Sequence, residues 1–213
     1  MIKAVIFDLD GTLIDTERFY RKCWPAAVKH FGYEMSDEQV LTLRSLGRPF
    51  APALLKEWFG EEFDYPKVRE YRKQLFEECV EKEGILPKKG AVELLEGLKK
   101  KGIIAAIATA TDVERASRYL KAAGLFDYFD KICSAADVAE GKPKPYVYLE
   151  ALKQLNLSGE ECIAVEDAPN GIRSASGAGI PVILIPDQRA DEPEVAELIW
   201  KTLPSLDLIL DMI

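Results

Sequence analysis

Asp8 and Asp10 stand two residues apart after an apolar run, Ala4-Val5-Ile6-Phe7, and are followed by Gly11 and Thr12. In an extended segment alternate side chains point the same way, so both carboxyl groups face one side. Carboxylates at that spacing repel, and a bound cation or a shared proton are the obvious ways to compensate them. Gly11 lets the backbone turn sharply or come close to a ligand. The sole histidine, His30, sits between Lys29 and Phe31 near Gly32 and reads as a charge at a helix C-terminus. Any acid–base chemistry in this chain therefore falls first to carboxylates.

Three further segments carry polar groups where apolar runs stop: Thr109-Ala110-Thr111, Gly141-Lys142-Pro143-Lys144-Pro145, and Glu166-Asp167. The elements that must position them are five short runs with little polar alternation, Ile2–Leu9, Ile103–Ala108, Lys131–Cys133, Cys162–Val165 and Val182–Ile185. Such runs suit parallel strands covered on both faces. Helical patterns separate the last four. Ala91, Leu94, Leu95 and Leu98 keep helical spacing, Thr111 with Glu114 reads as a capping box, and Pro145 suits a helix start. Ala168 to Ala178 reads as a small-residue helix packed close to the sheet. Strand–helix alternation predicts right-handed crossovers and a parallel sheet, with all four polar segments at one edge, where ligands bind in open α/β sheets.

Residues 16–84 break the alternation. Ser36 with Gln39 forms a capping box, Gly32, Gly47 and Gly60 punctuate the segment, and Asp64-Tyr65-Pro66 opens a long charged helix. The expectation is an α/β core from residues 1–15 and 85–213 with an all-helical insertion at 16–84. The tail after Pro204, with Leu206, Leu208, Ile209 and Met212, is expected to form a last amphipathic helix.

With 213 residues and a net charge of −8, the chain has no overall basic character for nucleic-acid or anionic-membrane binding. No apolar stretch is long enough to span a bilayer, and the N-terminus does not read as a signal peptide. Cys23, Cys79, Cys133 and Cys162 show no zinc or redox spacing and suit a reducing, cytoplasmic setting. A monomer is the default expectation.

The set of motifs resembles the haloacid dehalogenase superfamily of phosphotransferases: DxDGT at Asp8–Thr12, a strand-ending Thr109, Lys142, and the pair Glu166-Asp167. The longer stretches Phe7–Asp15 and Glu166–Ile172 look like the subgroup containing β-phosphoglucomutase and small-metabolite phosphatases. The resemblance spans essentially the whole chain. It implies a Rossmann-like parallel sheet with an inserted helical cap, and a Mg²⁺-dependent phosphatase for a small phosphorylated metabolite, a sugar phosphate among the candidates.

Under that resemblance Asp8 is the nucleophile that forms an aspartyl-phosphate. Asp10 is the acid that protonates the leaving oxygen and then the base that activates water. Mg²⁺ is held by Asp8, Asp167 and the backbone carbonyl of Asp10, while Glu166 holds a metal-bound water or orients Lys142. Thr109 and the backbone N–H groups of Leu9, Asp10 and Ala110 receive phosphoryl oxygens, Lys142 supplies positive charge, and Thr12 buttresses the loop. Lys144 is the weaker lysine. Dehalogenases of the superfamily lack the acid found here as Asp10.

Glu17, Tyr20 and Trp24 are cap residues at helical spacing that could face the substrate, joined by Arg44 and Arg48; Trp24 is read first as a packing residue. Arg48 occupies the place where the subgroup's mutases carry an arginine for a distal phosphate. Those mutases also place a histidine where this chain has Tyr20, which favours hydrolysis over mutase chemistry. Sugar phosphomutase and a non-catalytic phosphate-binding module are the alternatives.

Overall fold

The structure is a computed structural model that describes residues 1–213. Six strands form one sheet: β1 (Ala4–Phe7), β2 (Ile104–Thr109), β3 (Lys131–Ser134), β4 (Cys162–Glu166), β5 (Val182–Leu184) and β6 (Ile199–Thr202). Their spatial order is β3-β2-β1-β4-β5-β6, and every neighbouring pair is parallel. Phe7 of β1 is level with Ile107 on one side and Val165 on the other. The chain therefore leaves the three central strands side by side.

Between β1 and β2 lie four helices: α1 (Glu17–His30), α2 (Asp37–Thr42), α3 (Phe50–Phe59) and α4 (Tyr65–Glu83). Local chemistry starts two of them. Ser36 and Gln39 make the reciprocal capping box of α2, and the Asp64 carboxylate accepts from Lys67 N at the start of α4. Trp24, Val28, Val40, Leu55, Phe63 and Val68 give these helices an apolar cluster of their own. His30 ends α1 and stacks on Tyr71 at 4.2 Å.

The sheet is covered on both faces, as its uninterrupted apolar strands require. Side-chain alternation sends Val5 and Phe7 of β1 to one face, against leucines of α5 (Ala91–Lys101) and Tyr119 and Leu120 of α6 (Val113–Ala122). Ala4 and Ile6 go to the other, against Val147 and Tyr148 of α7 (Tyr146–Leu155) and Ile172 and Ala175 of α8 (Pro169–Gly177).

Two features depart from the sequence expectation. β6 is a sixth strand whose residues are mostly exposed at the sheet edge, so no apolar run marks it. The tail is a run of 3-10 turns, Leu206–Met212, rather than an α-helix; Leu206 and Ile209, three apart, are its buried residues, as three residues per turn dictates. It packs against α5, where Gly97 leaves room for Leu210.

Phe76 of α4 ties the inserted helices to the sheet layer. It is fully buried, with its ring 5.7 Å from Phe19, 4.5 Å from Tyr20 and 5.6 Å from Tyr119 of α6. Phe76→Ala is expected to lower unfolding free energy by about 3–5 kcal/mol in urea titration, and a loss under about 1 kcal/mol would contradict this packing role.

Candidate active site

Asp8 follows β1, Thr109 ends β2 and Glu166 ends β4, so the sheet order delivers all three to one edge. The Asp8 N–H donates to Val165 O at 2.9 Å, fixing the first acid to the neighbouring strand. The chain then folds back: Gly11 N donates to Ile14 O at 2.9 Å and Leu13 N to Leu9 O at 3.0 Å. Gly11 takes φ +83°, and a Cβ there would lie 2.6 Å from Asp167 Oδ2 and 2.8 Å from Glu17 Cγ. Both conformation and space therefore require glycine.

At the centre stands Lys142, fully buried, with its ammonium donating to Asp8 Oδ1 and to Glu166 Oε1, each at 2.7 Å. The Tyr148 hydroxyl donates to the same Glu166 oxygen at 2.5 Å. Burial alone would strip the lysine of its proton; the Asp8 and Glu166 charges outweigh it and hold the pKa above that of an ordinary lysine. Burial pushes Glu166 up to about 7, against the opposing pull of Lys142. α8 passes so close that any Cβ at Gly171 would strike the Glu166 carboxylate.

Asp10 has different neighbours. Its Oδ1 accepts from the Thr16 hydroxyl at 2.6 Å and its Oδ2 from the Thr111 hydroxyl at 2.8 Å. Burial raises its pKa; the Thr16 bond opposes, the Asp8 charge adds, and the net shift is upward. Asp167 accepts from the Thr12 hydroxyl at 3.1 Å through Oδ1, while its buried Oδ2 has no hydrogen-bond partner. Burial and then the Asp8 and Glu166 charges raise its pKa well above the ordinary range. Oxygens of Asp8, Glu166 and Asp167 lie within 4.8 Å of one another. A bare carboxylate oxygen buried among hard oxygen donors fits a divalent cation such as Mg²⁺.

Above the acids is a cavity walled by the inserted helices. Glu17, Tyr20, Trp24, Arg48, Thr109 and Ala110 line it together with Asp8 and Asp10. Glu17 is buried, and burial and then the Asp167 and Asp10 charges raise its pKa well above the ordinary range. Burial pushes Tyr20 up to about 12, so its phenol stays neutral near pH 7. Thr109 is fully buried, and its Oγ1 accepts from Thr111 N at 3.0 Å. Leu9 is fully buried in the apolar core, and Arg48 is exposed at the rim.

Two expectations need correction. Arg44 lines the cavity, as expected, but not as a free cation: its Nη2 pairs with buried Glu192 at 2.5 Å and its Nη1 donates to Asp167 O at 3.4 Å. Thr111 does not cap the helix that follows; Asp112 does, accepting from Arg115 N, and Thr111 turns to Asp10 instead. Lys144, read as the weaker lysine, is exposed; its N–H donates to Gly141 O at 3.1 Å and its carbonyl accepts from Ser174 Oγ at 2.6 Å.

The structure also adds residues that the motifs did not single out. Ser45, at φ +54°, donates its hydroxyl to Asp8 Oδ2 at 3.2 Å. Arg69 and Arg72 of α4 and Arg115 of α6 join the cavity wall. Their one sequence signal is the three-residue spacing of Arg69 and Arg72, in register with apolar Val68 and Phe76. Ser45 left none, because a loop serine aimed across the fold has no local pattern.

Comparison with known proteins identifies the family and agrees with the fold. A family model described as haloacid dehalogenase-like hydrolase matches residues 2–179. Protein CbbY of Rhodobacter capsulatus is 35% identical over 220 residues, covering 96% of this chain and 94% of that protein. Hexitol phosphatase A of Escherichia coli K12 is 33% identical over 196 residues, covering 92% and 88%. The crystal structure of CbbY from Rhodobacter sphaeroides in complex with xylulose-(1,5)bisphosphate superposes with a TM-score of 0.82 at 27% identity, covering 97% of this chain and 96% of that one. A family match across most of the chain, shared with phosphatases over nearly their whole length, leads to one assignment: the chain belongs to the haloacid dehalogenase-like hydrolase family and is an enzyme of its phosphatase kind.

Proposed function

We propose that the chain is a Mg²⁺-dependent phosphatase that hydrolyses a small phosphorylated metabolite of the sugar-phosphate type through an aspartyl-phosphate on Asp8. The observation that carries this reading is the division of labour between two acids two residues apart. Asp8 is bound by Lys142 at 2.7 Å, whereas Asp10 is held by two threonine hydroxyls with its pKa raised. The first arrangement places an ammonium on the acid assigned as nucleophile, and the second can keep a proton.

In the proposed reaction an Asp8 oxygen attacks phosphorus and the ester oxygen leaves with the proton of Asp10. Asp10, now ionised, takes a proton from water; that water attacks the phosphorus of the acyl phosphate, releasing inorganic phosphate and restoring the Asp8 carboxylate. The Lys142 ammonium and the Thr109 hydroxyl meet phosphoryl oxygens. Glu166 and Tyr148 orient Lys142 rather than touch substrate. Mg²⁺, held by the Asp8 and Asp167 carboxylates and the Asp10 carbonyl, would supply charge neutralisation between the nucleophile and the phosphate dianion. The relatives named above support a phosphorylated-carbohydrate class of substrate. Arg48 at the cavity rim favours the second reading, a sugar phosphomutase, and neutral Tyr20 favours the hydrolase.

The panel experiment is release of inorganic phosphate from sugar and polyol phosphates with Mg²⁺. Asp8→Asn is expected to abolish release, and Asp10→Asn to slow it by about 10²–10⁴-fold, the usual share of general acid–base catalysis. Chelation should stop turnover and added Mg²⁺ restore it. Unchanged release by Asp8→Asn refutes the reading.

A second prediction concerns metal-free protein. Lys142→Met leaves two buried carboxyl groups without their cation and should cost about 3–5 kcal/mol. Glu166, with its folded pKa raised to about 7, gives stability that is full below its unfolded value of about 4.3 and lost as pH climbs to about 7. Without Lys142 the folded value rises further, so the variant goes on losing stability where wild type has stopped. Denaturant titrations should therefore show a deficit larger at about pH 8.5 than at about pH 6. A deficit that shrinks with pH contradicts the assignment.

A further inference from the structure

Asp8 has two side-chain donors, Lys142 on Oδ1 at 2.7 Å and Ser45 on Oδ2 at 3.2 Å. The second comes from the inserted helices: Ser45 lies in the loop between α2 and α3 and lines the cavity. Its backbone is left-handed, at φ +54°, and only one other non-glycine residue, Asn156, has a positive φ. Asn156 ends α7, where that conformation is common; Ser45 ends no helix. A side chain crowds the backbone in this region, so a serine stays there only where its surroundings hold it. Bonds to the sheet layer do so from both sides. Before Ser45, the Asn170 amide donates to Thr42 O at 3.2 Å and Arg44 O at 2.9 Å, and Arg44 Nη1 donates to Asp167 O. After it, Gly47 N donates to Lys142 O at 2.9 Å. Glycine would make the same turn without strain, but it would bring no hydroxyl to Asp8.

We propose that Ser45 is a catalytic residue supplied by the helical layer: its hydroxyl rests on Asp8 Oδ2 and passes to a phosphoryl oxygen as the group is transferred to Asp8. This deepens the phosphatase reading and rests on it. Hydroxyl-to-carboxylate bonds are ordinarily about 2.5–2.7 Å long, so at 3.2 Å the Ser45 hydroxyl reaches Asp8 without being tightly committed to it. A hydroxyl hydrogen turns about its C–O bond, so it can change acceptor while the chain stays still. The proton remains on Ser45 throughout, and the bonds that form and break at phosphorus are those to Asp8, to the ester oxygen and to water. With Lys142 on Oδ1 and Ser45 on Oδ2, both oxygens of the carboxylate are held before substrate arrives. During transfer the hydroxyl meets charge on the phosphoryl oxygens, where a fixed donor lowers the barrier. The donor set of Asp8 is therefore complete only with the helical layer in place on the sheet.

Two variants separate the hydroxyl from the shape of the turn. Ser45→Gly accepts the left-handed backbone and lacks the hydroxyl, whereas Ser45→Ala lacks the hydroxyl and keeps the strain. On a substrate found by the phosphate-release panel, both should lower kcat by about tenfold or more, with KM changed by less than about threefold. A wild-type kcat in Ser45→Gly, whatever Ser45→Ala does, overturns the inference, because the turn alone would then account for the residue. A loss confined to KM overturns it as well. In both cases the phosphatase reading stands on the wild-type activity. If wild type hydrolyses no ester, that reading fails on its own. Beryllium trifluoride, which binds a carboxylate as a phosphoryl group does, then decides the role of Ser45 in calorimetric titrations with Mg²⁺ present. Binding at least tenfold weaker to Ser45→Gly than to wild type supports it, and equal or absent binding to the two proteins rejects it.

Discussion

A single buried ammonium organises the site. Asp8, Asp10, Glu17, Glu166 and Asp167 are all buried at one sheet edge, and Lys142 is the one buried lysine among them. Its two bonds of 2.7 Å to Asp8 and Glu166 tie the ends of β1 and β4 to the loop before α7. Removing charge from water is costly, so a cluster of this kind survives only where geometry satisfies nearly every oxygen. Thr12, Thr16, Thr111, Ser45 and Tyr148 each donate a hydroxyl to one of these acids. Gly11 and Gly171 clear space for two more of their oxygens. Two buried oxygens of the cluster, Glu166 Oε2 and Asp167 Oδ2, are the exceptions and have no hydrogen-bond partner.

The same loop joins the site to the inserted helices. Gly47 N donates to Lys142 O at 2.9 Å, and Gly141 N donates to Arg48 O at 2.7 Å. A Cβ at either glycine would come within 2.7 Å of the other's Cα, so the two backbones meet with no side chain between them. The Arg44–Glu192 pair and the Asn170 amide, which donates to Thr42 O and Arg44 O, fasten the rest of this seam. The cavity wall and the lysine beside the proposed nucleophile thus share one seam. A shift of the helical layer would disturb both, which links substrate choice to catalytic geometry.

Much of this was legible because its signals are local. The apolar run before Asp8, the residues ending β2 and β4, and the capping box at Ser36 each follow from neighbours in sequence. β6 was not legible, since an exposed edge strand needs no apolar run, and the tail's three-residue burial period mimics a helical one. Thr111 matched a capping box, but a buried carboxylate at 2.8 Å is a stronger claim on its hydroxyl, and Asp112 takes the cap. Arg44 and Arg72 illustrate the same limit. One is consumed by Glu192, more than a hundred positions away, and the other sits beneath aromatic rings of a different helix. Sequence types a charge; the fold decides what it meets.

The central claim, that Asp8 takes the phosphoryl group while Asp10 moves protons, is tested most directly by trapping the covalent enzyme. A substrate found by the panel is labelled with ³²P, mixed with excess Asp10→Asn protein and Mg²⁺, quenched in acid and mapped by peptide. The account predicts label on the peptide containing Asp8, stable in acid and released by alkali or hydroxylamine as an acyl phosphate. Phosphate release by wild type, with label absent from that peptide or carried by a different residue, would contradict it.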